Sequence, residues 1–192
     1  MSKTSGHARP ADDWFVEPAW CVTLLFGAEV MPWKIYDPAA GCGTIPGVAL
    51  DFGLQAVGSD ILPKADDVYG YDFLSPDRPR VTNDQGIGIV CNPPYKHAQE
   101  FIERAMQYEN VVKHAWLVQR DFPYSQRRYD LFSKHPPARI HFLSSRPSCP
   151  PGSKLFSGEL KQAGGSVDYC WIVWERGHIG PTQARWLKRG AA

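Results

Sequence analysis

The chain has 192 residues and a formal net charge of +1, from 21 lysines and arginines against 20 aspartates and glutamates. This length fits one α/β domain with a substantial core and leaves little room for a second domain. The five cysteines form no CxxC pair, and no apolar leader or long apolar span occurs. These features argue against a disulfide framework, a zinc site and a membrane protein. We therefore expect a cytoplasmic protein without a metal.

The small net charge hides an asymmetry between the two halves of the chain. Residues 1–96 carry 7 basic and 12 acidic side chains, whereas residues 97–192 carry 14 basic and 8 acidic ones. The C-terminal half is therefore the better candidate for a face that contacts a polyanion. Ordinary solvated surfaces show the same imbalance, so the charge acquires weight only beside a motif.

Helix and strand patterns alternate along most of the chain. A polar stretch, residues 1–12, predicts a disordered lead-in before a single domain at 13–180 and a basic tail at 181–192. The predicted helices are 14–26, with Pro18 at the start, 44–54, 96–109 and 124–134. The predicted strands are 34–37, 56–61, 68–74, 87–91, 111–118, 139–143 and 167–174. This alternation predicts a mostly parallel, doubly wound α/β sheet whose ligands bind at the carboxyl ends of the strands.

A glycine-containing turn follows the first predicted strand. Gly41 and Gly43 have no Cβ, so the backbone of the turn can approach a ligand closely. By itself the turn is a weak indication, because many nucleotide-binding folds and some folds without ligands contain one.

Acidic residues end the next two predicted strands. Asp60 is placed to accept hydrogen bonds from both hydroxyls of a ribose. Asp72 is placed to accept from an adenine amino group, with Ile61 and Phe73 against the ring. Each aspartate alone is also compatible with a solvated strand end or a helix N-cap. The ordered set favours a nucleotide-like ligand.

The tetrapeptide Asn92-Pro93-Pro94-Tyr95 follows the apolar run 87–91 and carries the most specific chemistry. Prolines lack N–H groups, so this strand end presents carbonyl oxygens to a ligand. The Asn92 side-chain oxygen and the Pro93 carbonyl are suited to accept from one exocyclic NH2 group and to localise its lone pair. Tyr95 supplies a flat face for a base removed from its stack. This chemistry is that of methyl transfer to an amino nitrogen.

Over residues 14–122 the chain resembles the class I methyltransferases that use S-adenosylmethionine, and among them the adenine-specific (N6) DNA methyltransferases. The resemblance implies a Rossmann-like sheet with an antiparallel C-terminal strand. Asparagine in the first position of the tetrapeptide is similar to adenine-modifying members. The catalytic residues so implied are Asn92, Pro93, Pro94 and Tyr95. The implied cofactor-binding residues are Phe15, Pro18, Asp37, Pro38, Ala39, Gly41, Gly43, Asp60, Ile61, Asp72, Phe73 and Asn92.

One position departs from the family pattern. The aromatic and proline element at 15–18 contains Glu17, where many members have threonine. The chain is otherwise similar to the small solitary enzymes of phages and prophages, which implies a bacterial or phage-infected cell. The expected reaction is direct displacement, in which the target nitrogen attacks the methyl of S-adenosylmethionine and no cysteine acts as a nucleophile.

Basic residues of the C-terminal half are candidates for a contact with the DNA backbone. The main candidates are Arg127, Arg128, Arg146 and Lys154, and the wider set includes Lys134, Arg139 and Lys161. A Ser-, Pro- and Gly-rich loop at 144–166 is the candidate for target recognition. Because the loop is small, we expect a short or loosely read site, or help from a partner or from a homodimer.

Two alternatives to adenine methylation in DNA stay open at this point. Similar tetrapeptides occur in families that methylate RNA bases or protein glutamine. A nucleic-acid-binding module that keeps the fold without activity is the other alternative.

Overall fold

A computed structural model describes residues 14–79, 81 and 86–190. The helices in these ranges are α1 (Ala19–Ala28), α2 (Thr44–Asp51), α3 (Ala98–Met106), α4 (Tyr129–Lys134) and α5 (Gly152–Phe156). The strands are β1 (Lys34–Asp37), β2 (Gln55–Asp60), β3 (Val68–Gly70), β4 (Ile87–Cys91), β5 (Val111–Gln119), β6 (Arg139–Leu143), β7 (Tyr169–Glu175) and β8 (Gln183–Leu187). None of these helices has the length and apolar character needed to cross a membrane.

One eight-stranded sheet organises the described chain, in the order β3-β2-β1-β4-β5-β7-β6-β8. The strands from β3 to β5 pair in parallel, β7 pairs antiparallel with β5 and β6, and β8 is parallel to β6. The chain runs outward from β1 to β3 and then returns to β4, so β1 and β4 flank a switch in strand order. Open α/β sheets bind ligands at such switch points. The predicted mostly parallel sheet with an antiparallel C-terminal strand is confirmed.

Helices cover both faces of the sheet, because the central strands are apolar on both sides. In β4, Ile89 and Cys91 face a core that contains residues of α3 and α4, whereas Val90 faces a core built with α1 and α2. All five residues of this strand are buried. A run that is buried throughout is typical of a central parallel strand. The doubly wound arrangement follows from this pattern.

Several elements differ in extent from the prediction. The third strand ends at Gly70, so Asp72 and Phe73 lie in the following loop. The helix predicted at 124–134 divides into a 3-10 turn, Gln126–Arg128, and α4.

The C-terminal part contains two elements that the sequence did not indicate. The predicted loop at 144–166 contains α5, and Pro151 within it forms a β-bridge with Phe15. Residues 183–187, assigned to a basic tail, form the edge strand β8. The predicted lead-in at 1–12 and the last two residues of the tail lie outside the described residues.

A buried ionic cluster lies at the edge of the sheet where the parallel strands begin. Glu29 accepts hydrogen bonds from Lys113 Nζ at 2.8 Å and from Arg139, lies 2.8 Å from His141 Nε2, and shares both cations with Glu175. Burial alone would raise the pKa of Glu29, but these hydrogen bonds outweigh it and hold the pKa well below its usual range. Arg139, a member of the wider predicted phosphate-binding set, therefore stabilises the fold.

We expect Glu29→Ala to lower the free energy of unfolding by about 3–5 kcal/mol, because it leaves Lys113 and Arg139 buried without their shared carboxylate. Urea denaturation followed by circular dichroism measures the change. Asp130→Ala is the matched control, since Asp130 and Lys134 form an exposed pair, and we expect a loss of at most about 0.5 kcal/mol. Similar losses in the two variants would contradict a stabilising role for the cluster.

Candidate active site

A cavity of about 450 Å³ lies at the carboxyl edge of the sheet, beside the switch between β1 and β4. Loops that follow four consecutive parallel strands line it, because the carboxyl ends of parallel strands meet at one edge. The predicted site residues that line this cavity are Phe15, Pro38, Ala39, Asp60, Ile61, Asp72, Phe73, Asn92 and Pro94. Those that do not line it are Pro18, Asp37, Gly41, Gly43, Pro93 and Tyr95.

The Asp60 carboxylate joins two loops of the cavity wall. Its Oδ2 accepts from the Gly41 N–H at 2.9 Å, and its Oδ1 accepts from the Leu62 N–H at 2.9 Å. Gly41 and Gly43 both have positive φ, of 51° and 83°, which explains why the turn contains glycine at these positions. An ionised carboxylate has about four lone-pair sites, so Asp60 retains acceptor capacity toward the cavity.

Asp37 is the last residue of β1 and contacts the start of the glycine turn. Its Oδ1 accepts from the Ala39 N–H at 3.1 Å, and the residue is buried. Burial raises the pKa of Asp37 well above its usual value, and the nearby Glu17 adds to the effect. The hydrogen bond from the Ala39 N–H holds the start of the glycine turn against the end of β1.

The loop after β3 forms an apolar part of the wall. Phe73 is almost fully buried, packs on Phe101 with ring centroids 5.1 Å apart, and also lines the cavity. Ile61 also lines the cavity and is largely exposed. Asp72 Oδ1 accepts from the Leu74 N–H at 2.9 Å, which fixes the carboxylate at the rim. These residues can enclose a flat ring and one polar group.

The Asn92 side chain is held in one orientation at the end of β4. Its Nδ2 donates to the Phe15 carbonyl at 3.2 Å and to Glu17 Oε2 at 2.9 Å. Its Oδ1 is buried and has no hydrogen-bond partner. Buried polar atoms without partners are rare and costly, so this oxygen is an acceptor prepared for a ligand.

Glu17 is the least expected member of the site. It is only 7% exposed, and burial raises its pKa to about 7, although hydrogen bonds from Asn92 and Thr44 oppose the rise. The sequence singled out this residue as a departure from a family pattern but gave it no role. The hydrogen bond from Asn92 to Glu17 connects this residue to the tetrapeptide.

Tyr95 belongs to a second, smaller cavity of about 150 Å³ next to the first. Its ring stacks on Phe15, with centroids 4.9 Å apart and planes at 24°, and its hydroxyl lies 2.7 Å from that of Tyr169. Phe15 lines both cavities. One face of the Tyr95 ring is thus already covered by Phe15.

Trp14 is a further wall residue that the sequence did not indicate. A Cβ on Gly41 would lie 2.5 Å from its indole nitrogen, and a Cβ on Gly152 would lie 2.4 Å from its ring. The indole also stacks on Phe156 at 5.6 Å, beneath the Lys64 ammonium at 5.1 Å. Trp14 therefore fastens the glycine turn to α5. The only sequence indication was its position next to Phe15.

The predicted nucleic-acid-binding residues differ in their surroundings. Arg127 is exposed and contacts Glu100 at 3.3 Å, and Lys154 contacts Glu159 at 2.8 Å. Arg146 binds Asp168 at 2.6 Å.

Arg128 has a different environment from these three residues. Its guanidinium lies 4.2 Å from the centroid of the Phe122 ring and donates to the Phe122 carbonyl. This residue is therefore engaged within the protein.

No group of three or more metal-binding side chains occurs within the described ranges. All five cysteines have free thiols. Burial raises the pKa of the Cys91 thiol, next to the tetrapeptide, well above its usual value. A thiol held in its neutral form is a poor nucleophile.

Comparisons with known proteins give a likeness in structure but not in sequence. No protein-family model matches the chain, and no curated protein matches it. Three solved structures illustrate the structural likeness. The 23S rRNA methyltransferase ErmE is 13% identical, with a TM-score of 0.55 over 86% of this chain and 70% of that one.

The other two structures come from Plasmodium falciparum and Thermotoga maritima. A dimethyladenosine transferase from the former is 12% identical, with a TM-score of 0.53 over 84% of this chain and 62% of that one. A SAM-dependent O-methyltransferase from the latter is 8% identical, with a TM-score of 0.50 over 84% of this chain and 66% of that one. The chain thus spans less than two thirds of the length of these two proteins. It has the Rossmann-like fold of the class I methyltransferases.

We expect Gly41→Ala to destabilise the protein more than Gly53→Ala, as measured by urea denaturation. Both glycines have positive φ, so each substitution should cost about 1 kcal/mol in backbone strain. A Cβ at position 53 meets nothing within 4 Å, whereas one at position 41 displaces Trp14. This displacement should cost about 1–3 kcal/mol more. Equal losses of unfolding free energy in the two variants would show that Trp14 can move away from position 41 without destabilising the protein.

Proposed function

We propose that this protein is an S-adenosylmethionine-dependent methyltransferase that modifies the N6 amine of adenine in DNA. The single observation that carries the proposal is the buried, unpartnered Oδ1 of Asn92 at the wall of the 450 Å³ cavity. An exocyclic amine can donate to this oxygen, and the cavity volume is within the range of about 300–1,000 Å³ usual for ligand sites.

The residues around the cavity fit S-adenosylmethionine. Asp60 keeps lone pairs for the ribose hydroxyls after its two backbone hydrogen bonds. Asp72, Phe73 and Ile61 offer an acceptor and apolar surface for the adenine ring. Pro38 and Ala39, which line the cavity at the start of the glycine turn, would hold the methionine part. When bound, this cofactor supplies an electrophilic methyl group.

The residues of the tetrapeptide prepare the target nitrogen. Asn92 Oδ1 and the Pro93 carbonyl would accept from the NH2 group and localise its lone pair. Transfer to this nitrogen would break the sulfonium–methyl bond, leave a neutral thioether and release one proton from the nitrogen to solvent. The Pro94 carbonyl accepts from the His97 N–H at 2.9 Å and shapes the loop instead. Orientation of the two reactants and these acceptors supply the rate enhancement without a covalent enzyme intermediate.

The second cavity adjoins the first at Phe15 and is our candidate for the target base, whose amine would extend past Phe15 to Asn92 in the first cavity. Tyr95, Tyr169 and Phe15 supply aromatic surface, and segments 147–150 and 160–167 of the predicted recognition loop close the space. A base must leave its stack to reach this depth, as bases do in other enzymes that modify them. Loop 144–166 would then contact the nucleotides on either side.

Adenine in RNA is a second candidate substrate, and a separate observation favours it. The structural neighbours include a 23S rRNA methyltransferase and a dimethyladenosine transferase. The chemistry at Asn92 is the same for both polymers. Methylation of protein glutamine and an inactive binding module are weaker alternatives, because the basic C-terminal half favours nucleic acid and the acceptor site is intact.

We expect Asn92→Ala to lower kcat by about 100- to 1,000-fold, because it removes a preorganised acceptor of the transition state. The assay follows labelled methyl from S-adenosylmethionine into unmethylated duplex DNA, single-stranded DNA and RNA, with nucleoside mass analysis. Asn110→Ala is the matched control, since Asn110 is equally buried and lies outside both cavities. It should retain activity.

The outcomes of this assay separate the candidates. N6-methyladenine in DNA supports the proposal, and product in RNA alone supports the second candidate. Cofactor binding without a nucleic-acid product points to protein glutamine. A purified, folded protein that does not bind S-adenosylmethionine would overturn the methyltransferase proposal and favour the inactive module.

We expect duplex DNA affinity to fall steeply with salt, and Arg127→Ala to reduce the slope of log K against log salt by about 1. Arg127 is exposed and belongs to the predicted phosphate-binding set. Fluorescence anisotropy over a salt series measures the slope. Arg176→Ala is the control, because Arg176 binds the Tyr108 and Val111 carbonyls at the opposite edge of the sheet. An unchanged slope in Arg127→Ala would remove that residue from the interface.

A further inference from the structure

We infer that Glu17 is a positioning residue whose protonation state decides whether the side-chain oxygen or nitrogen of Asn92 faces the substrate amine. This inference rests on the proposed methyl transfer at Asn92. It assigns a role to the one position of the aromatic and proline element at 15–18 that departs from the family pattern. The supporting geometry is the Glu17–Asn92 hydrogen bond together with the orphaned Oδ1 of Asn92.

An ionised Glu17 permits only one orientation of the Asn92 amide. Both groups that contact Nδ2, the Glu17 carboxylate and the Phe15 carbonyl, accept hydrogen bonds and cannot donate. Rotating the amide by a half-turn would place Oδ1 against two other oxygens. The anion therefore holds Nδ2 inward and presents Oδ1 to the substrate as an acceptor.

A protonated Glu17 removes this restriction. Its O–H can donate to Asn92 Oδ1, so the rotated amide satisfies an oxygen that otherwise has no partner. Nδ2 then faces the substrate amine, and two donors meet without an acceptor. The only chemical change is the binding of one proton to the Glu17 carboxylate. The Phe15 carbonyl opposes the rotation because it loses its donor.

The groups around Glu17 determine the pH at which its carboxyl group ionises. The titratable groups around it come from the end of β1, the glycine turn, β4 and its following loop, α1 and the segment before α5. They are Asp37, Cys42, Cys91, Tyr95, Cys21 and Cys149. All are neutral or anionic. Burial raises the Glu17 pKa to about 7, so near-neutral pH changes its charge.

The expected pH dependence follows from the sign of this ionisation. The competent form is the anion, so kcat should fall as pH drops through about 7 and be about 30-fold lower at pH 5.5 than at pH 8.5. The KM for S-adenosylmethionine should change little, since Glu17 acts on the methyl acceptor side through Asn92.

The decisive variant is Glu17→Gln, measured as kcat and KM from pH 5.5 to 8.5. Its amide carries an N–H donor beside its oxygen, as the protonated carboxyl carries an O–H donor, and it does not titrate, so kcat at pH 8.5 should already be about as low as that of wild type at pH 5.5. The fall at low pH should disappear. Asp37→Asn is the control for the neighbouring buried carboxyl and should keep the fall. A fall that persists in Glu17→Gln would overturn the inference.

A second readout does not depend on activity. The side-chain NH2 resonances of Asn92 in 15N-labelled protein, assigned by their absence in Asn92→Ala, should shift with a midpoint near pH 7 and stop shifting in Glu17→Gln. If they titrate while no substrate is methylated, the positioning role stands and the proposed function fails. If they do not titrate in an active wild-type enzyme, the positioning role fails and the proposed function stands.

Discussion

The hydrogen bonds that the Asn92 amide donates to Phe15 and Glu17 join the candidate site to the start of the described chain. Their partners are 77 and 75 residues apart in sequence. In a region shielded from water such bonds gain strength, and a missing partner costs more. The same short segment also carries Trp14 against the glycine turn. The stretch before α1 therefore forms part of the wall of both cavities and fixes the orientation of the Asn92 amide.

Much of this arrangement is predictable from local patterns. The apolar run 87–91 and the prolines after it indicate a central strand whose carboxyl end meets a ligand. Asp60, at the end of β2, indicates the same edge of the sheet. These predictions succeed because strand identity depends on nearby residue types. The sheet then brings strand ends together by topology alone. Six residues of the predicted set nevertheless do not line the main cavity.

The parts that sequence did not predict depend on contacts between distant segments. Trp14 packs on Gly152, Glu17 bonds Asn92, and Arg128 lies on Phe122. Residue type shows that each can make such a contact, but the partner is decided by tertiary packing. The five-residue helix α5 is a similar case, because its proline-flanked sequence favours a loop and its contacts with Trp14 hold it in place. Strand β8 also depends on its partner, β6.

The position of β8 at the edge of the sheet has a consequence for the behaviour of the protein in concentrated solution. Its outer side has no neighbouring strand within the described chain, and four of its five residues are exposed, including Trp186. An edge of this kind is a template for unwanted strand addition between molecules. Arg185 within the strand and Lys188 just after it place like charges along that edge, whereas the Arg189 guanidinium lies over the Trp20 ring. Like charges at an edge strand oppose its pairing with the same strand of a second molecule.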